Sequence, residues 1–167
     1  MWTILLIEDD ALSCQALTDV LEYYGYCVVT ARSGAIGIEI ALAYQPDLII
    51  CNVMLPDMLG WDILQQVQAL EAIAATPFIF LTGLDERRYM RKAMILGADD
   101  YIFKPVSHQD LHQSLEALFR KRKRLVKPYP NSIKRVTKKL QSFIFNNLIK
   151  TNPRSLSGRD QAPPKRG

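Results

Sequence analysis

The stretch that most constrains this chain is Leu48-Ile49-Ile50-Cys51-Asn52, followed at once by Val53-Met54-Leu55-Pro56-Asp57-Met58-Leu59-Gly60. Four apolar residues end on one small polar residue, and a loop punctuated by Pro and Gly follows. A half-exposed strand alternates; this run does not. It reads as a strand covered on both faces, the pattern of a parallel sheet with helices above and below. Open sheets of that kind bind ligands outside the carboxyl ends of their strands. Asn52, at the tip of the run, stands where such a fold places its chemistry.

The rest of the chain supplies the layers. Further strands are expected over residues 3–7, 26–31, 78–81 and 101–103, where apolar, β-branched and aromatic residues cluster. Helical spacing predicts helices over 11–24, 34–44, 61–74, 86–96 and from about 107 to 124. Leu12, Ala16, Val20 and Leu21 carry the first of these stripes; Ile63, Leu64, Val67 and Leu70 carry the third. Gly25 and Gly97 stop two helices, and Ser107 followed by Asp110 resembles a capping box. Five strands alternating with five helices predict an α/β, doubly wound, five-stranded parallel sheet with right-handed crossovers.

Charge divides the chain. Residues 1–119 hold 6 Lys/Arg and 16 Asp/Glu, a net −10; residues 120–167 hold 15 and 1, a net +14. Such a split speaks of partners and places a boundary near Arg120. No run approaches the roughly 18 apolar residues of a membrane span, and Met1-Trp2-Thr3-Ile4-Leu5-Leu6-Ile7-Glu8 lacks the basic start of a signal peptide. A cytoplasmic location is expected. Cys14, Cys27 and Cys51 lie far apart in apolar surroundings and read as reduced core residues. His108 and His112 add no convincing metal-ligand set.

Polar residues gather at the ends of four strands: Glu8 and Asp9 after the first, Asn52 after the third, Thr82 after the fourth, Lys104 after the fifth. In a doubly wound sheet these ends share one rim. Adjacent carboxylates suit a hard cation such as Mg²⁺, a lysine offers a point charge to a phosphoryl oxygen, and a threonine offers a hydroxyl.

In this order and spacing the residues resemble a response-regulator receiver domain over residues 1–119. The resemblance is carried by Ile4-Leu5-Leu6-Ile7-Glu8-Asp9-Asp10, Pro46-Asp47-Leu48-Ile49-Ile50-Cys51, Met54-Leu55-Pro56-Asp57, Phe80-Leu81-Thr82, and Gly97-Ala98-Asp99-Asp100-Tyr101 with Lys104-Pro105. It implies a flavodoxin-like sheet of order 2-1-3-4-5 that takes a phosphoryl group from a sensor histidine kinase onto an Asp at the end of strand three. It further implies that Glu8, Asp9 and the Met54 backbone carbonyl hold Mg²⁺, and that Thr82 and Lys104 contact the phosphoryl group. Tyr101 would follow Thr82 inward as the aromatic switch, and Lys104-Pro105 would be a cis peptide.

Two residues depart from the family pattern. Asn52 stands where the accepting Asp belongs. A carboxamide is neutral and its nitrogen lone pair is delocalised, so Asn52 is not expected to accept phosphate. Mg²⁺ binding is expected to be weak or absent, and Lys104 to be freed to pair with Asp9, favouring one conformational state. Leu59 replaces an Asp before Gly60, either folded onto the third helix or part of a contact surface. Asn52 is read three ways: natural, making a pseudo-receiver; a change introduced into a conventional acceptor; or compensated by Asp57 as substitute acceptor.

Arg120-Lys121-Arg122-Lys123-Arg124 reads as a solvated helix end. Lys127-Pro128-Tyr129-Pro130-Asn131 then breaks the chain. A basic amphipathic helix is expected over 133–149, with Ile133, Val136, Leu140, Phe143, Ile144 and Leu148 on one face and Lys134, Arg135, Lys138 and Lys139 in its first half. The organisation expected is a receiver over 1–124, a basic helical extension over 125–150 and a disordered tail over 151–167. The extension docks on the receiver or another copy, binds nucleic acid, or meets an anionic surface or another protein. The functional expectation is a non-enzymatic signalling module of a two-component pathway, incompetent for phosphorylation and acting by protein contact. It would meet a histidine kinase or other two-component protein, and a second copy through the helix-four, strand-five, helix-five face. The alternatives are a conventional receiver with its acceptor changed, and a nucleic-acid-binding regulator driven by the tail.

Overall fold

A computed structural model describes residues 1–83 and 87–125. Ten elements follow one another: β1 (Thr3–Ile7), α1 (Ala11–Tyr23), β2 (Cys27–Ala31), α2 (Gly34–Tyr44), β3 (Leu48–Cys51), α3 (Gly60–Ala69), β4 (Phe78–Thr82), α4 (Arg87–Ile95), β5 (Asp100–Phe103) and α5 (His108–Leu125). The strands form one parallel sheet of order β2-β1-β3-β4-β5. The expected fold is therefore observed. The extension over 125–150 and the tail over 151–167 lie outside the described residues, save Leu125 at the end of α5.

Strand periodicity sorts the core into two layers. Ile4, Leu6, Leu48, Ile50, Ile79 and Leu81 point to the face covered by Cys14, Leu17 and Leu21 of α1 and by Leu111, Leu115 and Phe119 of α5. Leu5, Ile7, Ile49, Cys51, Phe78 and Phe80 point to the opposite face, under Ala41 of α2, Ile63, Leu64 and Val67 of α3, and Ala93 of α4. Each fully buried Leu, Ile or Phe contributes about 1.5–3 kcal/mol relative to exposure. Continuous apolar runs in β1, β3 and β4 are what a sheet buried on both sides requires. Burial pushes the Cys51 thiol well above its ordinary pKa, and all three cysteines are free.

Local chemistry sets the element ends. Asp10 caps α1, its Oδ1 accepting from Ser13 N at 2.7 Å. Ser33 caps α2 at 3.5 Å, and Ser107 Oγ accepts from Asp110 N at 3.0 Å at the start of α5. Gly25 has φ +83° just after α1, a left-handed conformation open to glycine without a Cβ penalty. Helix α3 is shorter than its apolar spacing predicts, ending at Ala69 rather than near residue 74. Leu70 turns extended (φ −97°, ψ 102°). The N–H groups of Leu70, Ile73 and Thr76 then bond to the carbonyls of Val67, Leu70 and Ile73. This three-residue repeat keeps apolar spacing while tightening the chain, and it seats Ile73 in the core.

The basic end of α5 is not wholly solvated as expected. Arg122 donates to the Asp47 carbonyl, and Lys123 Nζ lies 5.6 Å from the ring centre of Trp2, which stacks on Phe119 at 4.6 Å.

Candidate functional site

Strand register builds the rim. Ile7 pairs with Ala31 on one side and Cys51 on the other, and Cys51 pairs with Phe80. The ladders run one residue further: Glu8 N donates to Ala31 O at 3.0 Å, Asn52 N to Ile7 O at 2.9 Å and Lys104 N to Thr82 O at 2.9 Å. Glu8, Asp9, Asn52, Thr82 and Lys104 therefore emerge on one edge, at the switch point between β1 and β3.

Asn52 is the hub. Its Nδ2 donates to Asp9 Oδ1 at 3.2 Å and to the Met54 backbone carbonyl at 3.0 Å. Both partners are pure acceptors, which fixes the amide with its nitrogen toward them. Glu8 is 2% exposed. Its Oε2 meets Lys104 Nζ at 2.5 Å, and its Oε1 accepts a long bond from Asp10 N at 3.3 Å. Lys104 thus pairs with Glu8, not with Asp9 as expected. The buried carboxylate has the greater need of a countercharge, and Asp9 is already engaged by Asn52. Arg32 of the β2–α2 turn donates to the Asp9 carbonyl.

Thr82 is the buried last residue of β4, and Tyr101 is buried within β5. The Tyr101 ring lies parallel to Trp61 (6.5 Å, 6°), and Phe80 and Phe103 also pack around it. Trp61 also faces Tyr89 at 6.5 Å and carries Lys92 Nζ 5.1 Å above its ring. The Lys104–Pro105 peptide is cis.

The loop after β3 is a small closed unit. Met54 and Leu59 form an antiparallel bridge, and Gly60 N donates to Val53 O at 2.8 Å. A Cβ on Gly60 would lie 2.7 Å from Asn52 O and 2.9 Å from Phe80 Cε1, so the close approach needs glycine. Asp57 does not face the rim. Its two carboxylate oxygens accept from Gly34 N and Ala35 N, each at 2.9 Å, at the start of α2. These backbone donors, Ala35 first, hold its carboxyl below the ordinary value. As a substitute acceptor Asp57 is turned away and occupied. Arg32 and Gly60 act here without having been singled out from the sequence as site residues; the Pro56-Asp57-x-x-Gly60 loop was the available signal for Gly60. Leu59 sits at the α3 N-cap with extended backbone, 39% exposed, and gives no side-chain cap.

Glu8, Asp9 and Met54 O are oxygen donors of the kind Mg²⁺ takes. As arranged they do not fit the ion: the Asn52 N–H groups face two of these donors and the Lys104 ammonium faces the third. Among the described residues no group of three His, Cys, Asp or Glu side chains is placed to hold a metal, and no helix is long and apolar enough to cross a membrane.

The sequence pattern of the family described as "Response regulator receiver domain" matches residues 4–116. The probable transcriptional regulatory protein SilR of Salmonella typhimurium is 35% identical over 118 residues, 71% of this chain and 51% of that protein. The cell cycle transcriptional regulator CtrA of Caulobacter vibrioides is 34% identical over 120 residues, 72% of this chain and 51% of its own. The chain spans about half the length of the curated relatives it matches. Among solved structures, a response regulator receiver domain protein from Clostridium thermocellum aligns with TM-score 0.71 and 30% identity, over 75% of this chain and all of its own. The receiver domain of a sensor histidine kinase from Pseudomonas aeruginosa, crystallised with a magnesium ion in its active-site cleft, aligns with TM-score 0.66 and 25% identity, over 70% of this chain and 96% of its own. Sheet order, rim and sequence pattern agree: the chain belongs to the response-regulator receiver domain family.

Proposed function

We propose that this receiver is a pseudo-receiver: a cytoplasmic signalling module of a two-component pathway that takes no phosphoryl group and works by protein contact rather than catalysis. One observation carries the reading. Asn52 occupies the β3 tip, where the family resemblance puts the accepting Asp, and its amide is engaged by Asp9 and Met54. A carboxamide lacks the charge of the attacking oxygen and does not form an acyl phosphate. Mg²⁺ binding is weak or absent, because the side chain at position 52 contributes no charge and opposes the ion with N–H. The roles of Thr82 and Lys104 as phosphoryl contacts lapse, and Lys104 serves Glu8. Tyr101, the switch residue by resemblance, is held inward among Trp61, Phe80 and Phe103.

Partners would be a histidine kinase or another two-component protein. The α4–β5–α5 face offers Met90, Met94, Ile95 (75% exposed) and Phe103 to such a partner or a second copy. The direct test is incubation with acetyl phosphate and magnesium, followed by intact mass. No phosphoryl addition is expected on the wild-type chain; stoichiometric addition overturns the reading.

A second reading, DNA binding through the basic segment, is supported by SilR and CtrA being named transcriptional regulators and by the +14 charge of residues 120–167. If it holds, binding falls steeply with salt, and replacing Lys134, Arg135, Lys138 and Lys139 with Ala in the full chain flattens that slope. Salt-insensitive binding, or none, removes it.

A further inference from the structure

We infer that the Asn52 carboxamide is a built-in replacement for a divalent cation: a positioning group that ties the β3–α3 loop to the β1–α1 turn with no ion present. The inference rests on the reading of Asn52 as a non-accepting residue and adds what that residue does instead.

Two oxygens from separate loops converge on Asn52 Nδ2: the Asp9 carboxylate at 3.2 Å and the Met54 carbonyl at 3.0 Å. Neither can donate, so they repel one another unless a positive group stands between them. A carboxamide carries two N–H donors on one nitrogen, one for each oxygen. The remaining rim carboxylate, Glu8, is met by Lys104 at 2.5 Å. Each of the three oxygen-donor groups, Asp9, Met54 O and Glu8, therefore already faces an N–H of the chain itself. The loop is stiff enough to pass this anchor on. Met54 bridges Leu59, Gly60 N bonds Val53 O, and a Cβ on Gly60 would fall 2.7 Å from the Asn52 carbonyl oxygen, so the loop packs against it without room for a side chain. Trp61 follows directly and lies parallel to Tyr101. Holding Met54 to Asp9 thus sets the position of the residue that packs the β5 aromatic ring. An Asp at position 52 would reverse the logic, placing a third negative group beside Asp9 and Met54 O and making the loop depend on an added cation.

The test is hydrogen exchange of the Gly60 amide in the full chain, read by NMR for wild type, Asn52→Ala and Asn52→Asp, each in EDTA and in millimolar magnesium. In wild type the protection is the same in both buffers. In Asn52→Ala exchange quickens on the order of ten- to a hundredfold in both, as the loss of one neutral and one charge-assisted hydrogen bond implies. In Asn52→Asp exchange is fast in EDTA and is restored by magnesium. Should Asn52→Ala not fold, the wild-type and Asn52→Asp arms alone decide. Protection in Asn52→Ala equal to wild type, a magnesium response in wild type as large as in Asn52→Asp, or protection of Asn52→Asp in EDTA equal to wild type overturns the inference. Acetyl phosphate labelling separates the two ideas. Phosphorylation of the wild-type chain sinks the pseudo-receiver reading whatever the exchange pattern, and a flat exchange pattern sinks the tether while leaving an unlabelled chain unphosphorylated.

Discussion

Replacing Lys104 by Met isolates the ion pair that closes the pocket. In the native chain Glu8 is 2% exposed and the Lys104 side chain 25%. Their atoms meet at 2.5 Å, and Glu8 keeps one further, long bond from Asp10 N at 3.3 Å. Met preserves the apolar stem of Lys104 and deletes its charge, leaving Glu8 buried with that single weak donor. Breaking a fully buried pair from one side costs about 3–5 kcal/mol. Lys104 is partly wet, so screening lowers the figure to about 2–3 kcal/mol. That is a large share of the roughly 5–15 kcal/mol that stabilises a domain. Glu8→Gln removes the charge that needs a partner and leaves Lys104 able to reach water, at about 1 kcal/mol. The double variant therefore costs less than the sum of the singles, with a coupling of about 1–2 kcal/mol. Urea unfolding of the four proteins at neutral pH, compared at one common slope, measures the cycle. A Lys104→Met midpoint within about 0.5 kcal/mol of wild type, or a coupling of zero, would refute the claim that this pair closes the pocket.

Three other substitutions probe the supports of the site. Leu59→Asp places an acceptor at the uncapped start of α3 and raises stability by about 1 kcal/mol in thermal unfolding; a lowered melting temperature contradicts the N-cap assignment. Gly60→Ala forces a Cβ against Asn52 O and Phe80, costing about 1–3 kcal/mol, with no cost if the loop can move away freely. Asp57→Asn weakens the anchor at the start of α2 by about 0.5 kcal/mol at neutral pH, after discounting for exposure. The Asp57 pKa is lowered by folding, so its contribution is complete above the ordinary value of 3.8 and is lost as pH falls through the lower folded value. The gap between wild type and variant closes below that range; a gap unchanged at low pH refutes the charged anchor.

Much of this was legible in the sequence because it depends on local pattern. The apolar runs of β1, β3 and β4 have no exposed face to mark, so they read as doubly covered strands, and the sheet order followed from the family resemblance. The rim was legible because each polar residue directly follows a strand, and parallel register aligns those ends. What was not legible depends on distances between loops. Nothing in Glu8-Asp9 says which carboxylate turns inward, so Lys104 was assigned to Asp9; the structure buries Glu8 and gives it the lysine. Asp57 looked available because its partners, the first amides of α2, lie more than twenty residues away. The early end of α3 was hidden because Val67, Leu70 and Ile73 fit a helix and a series of three-residue turns equally well, with neither Gly nor Pro to mark the stop.

The most direct test of the account is the amide NMR spectrum of the full wild-type chain before and after magnesium and excess acetyl phosphate. Superimposable signals are expected for Asn52, Met54, Thr82 and Tyr101, because the pocket is satisfied by its own amide and ammonium groups. Saturable shifts running from Asn52 through Thr82 to Tyr101 would contradict it, showing a receiver still switched by the chemistry that Asn52 is held to have removed.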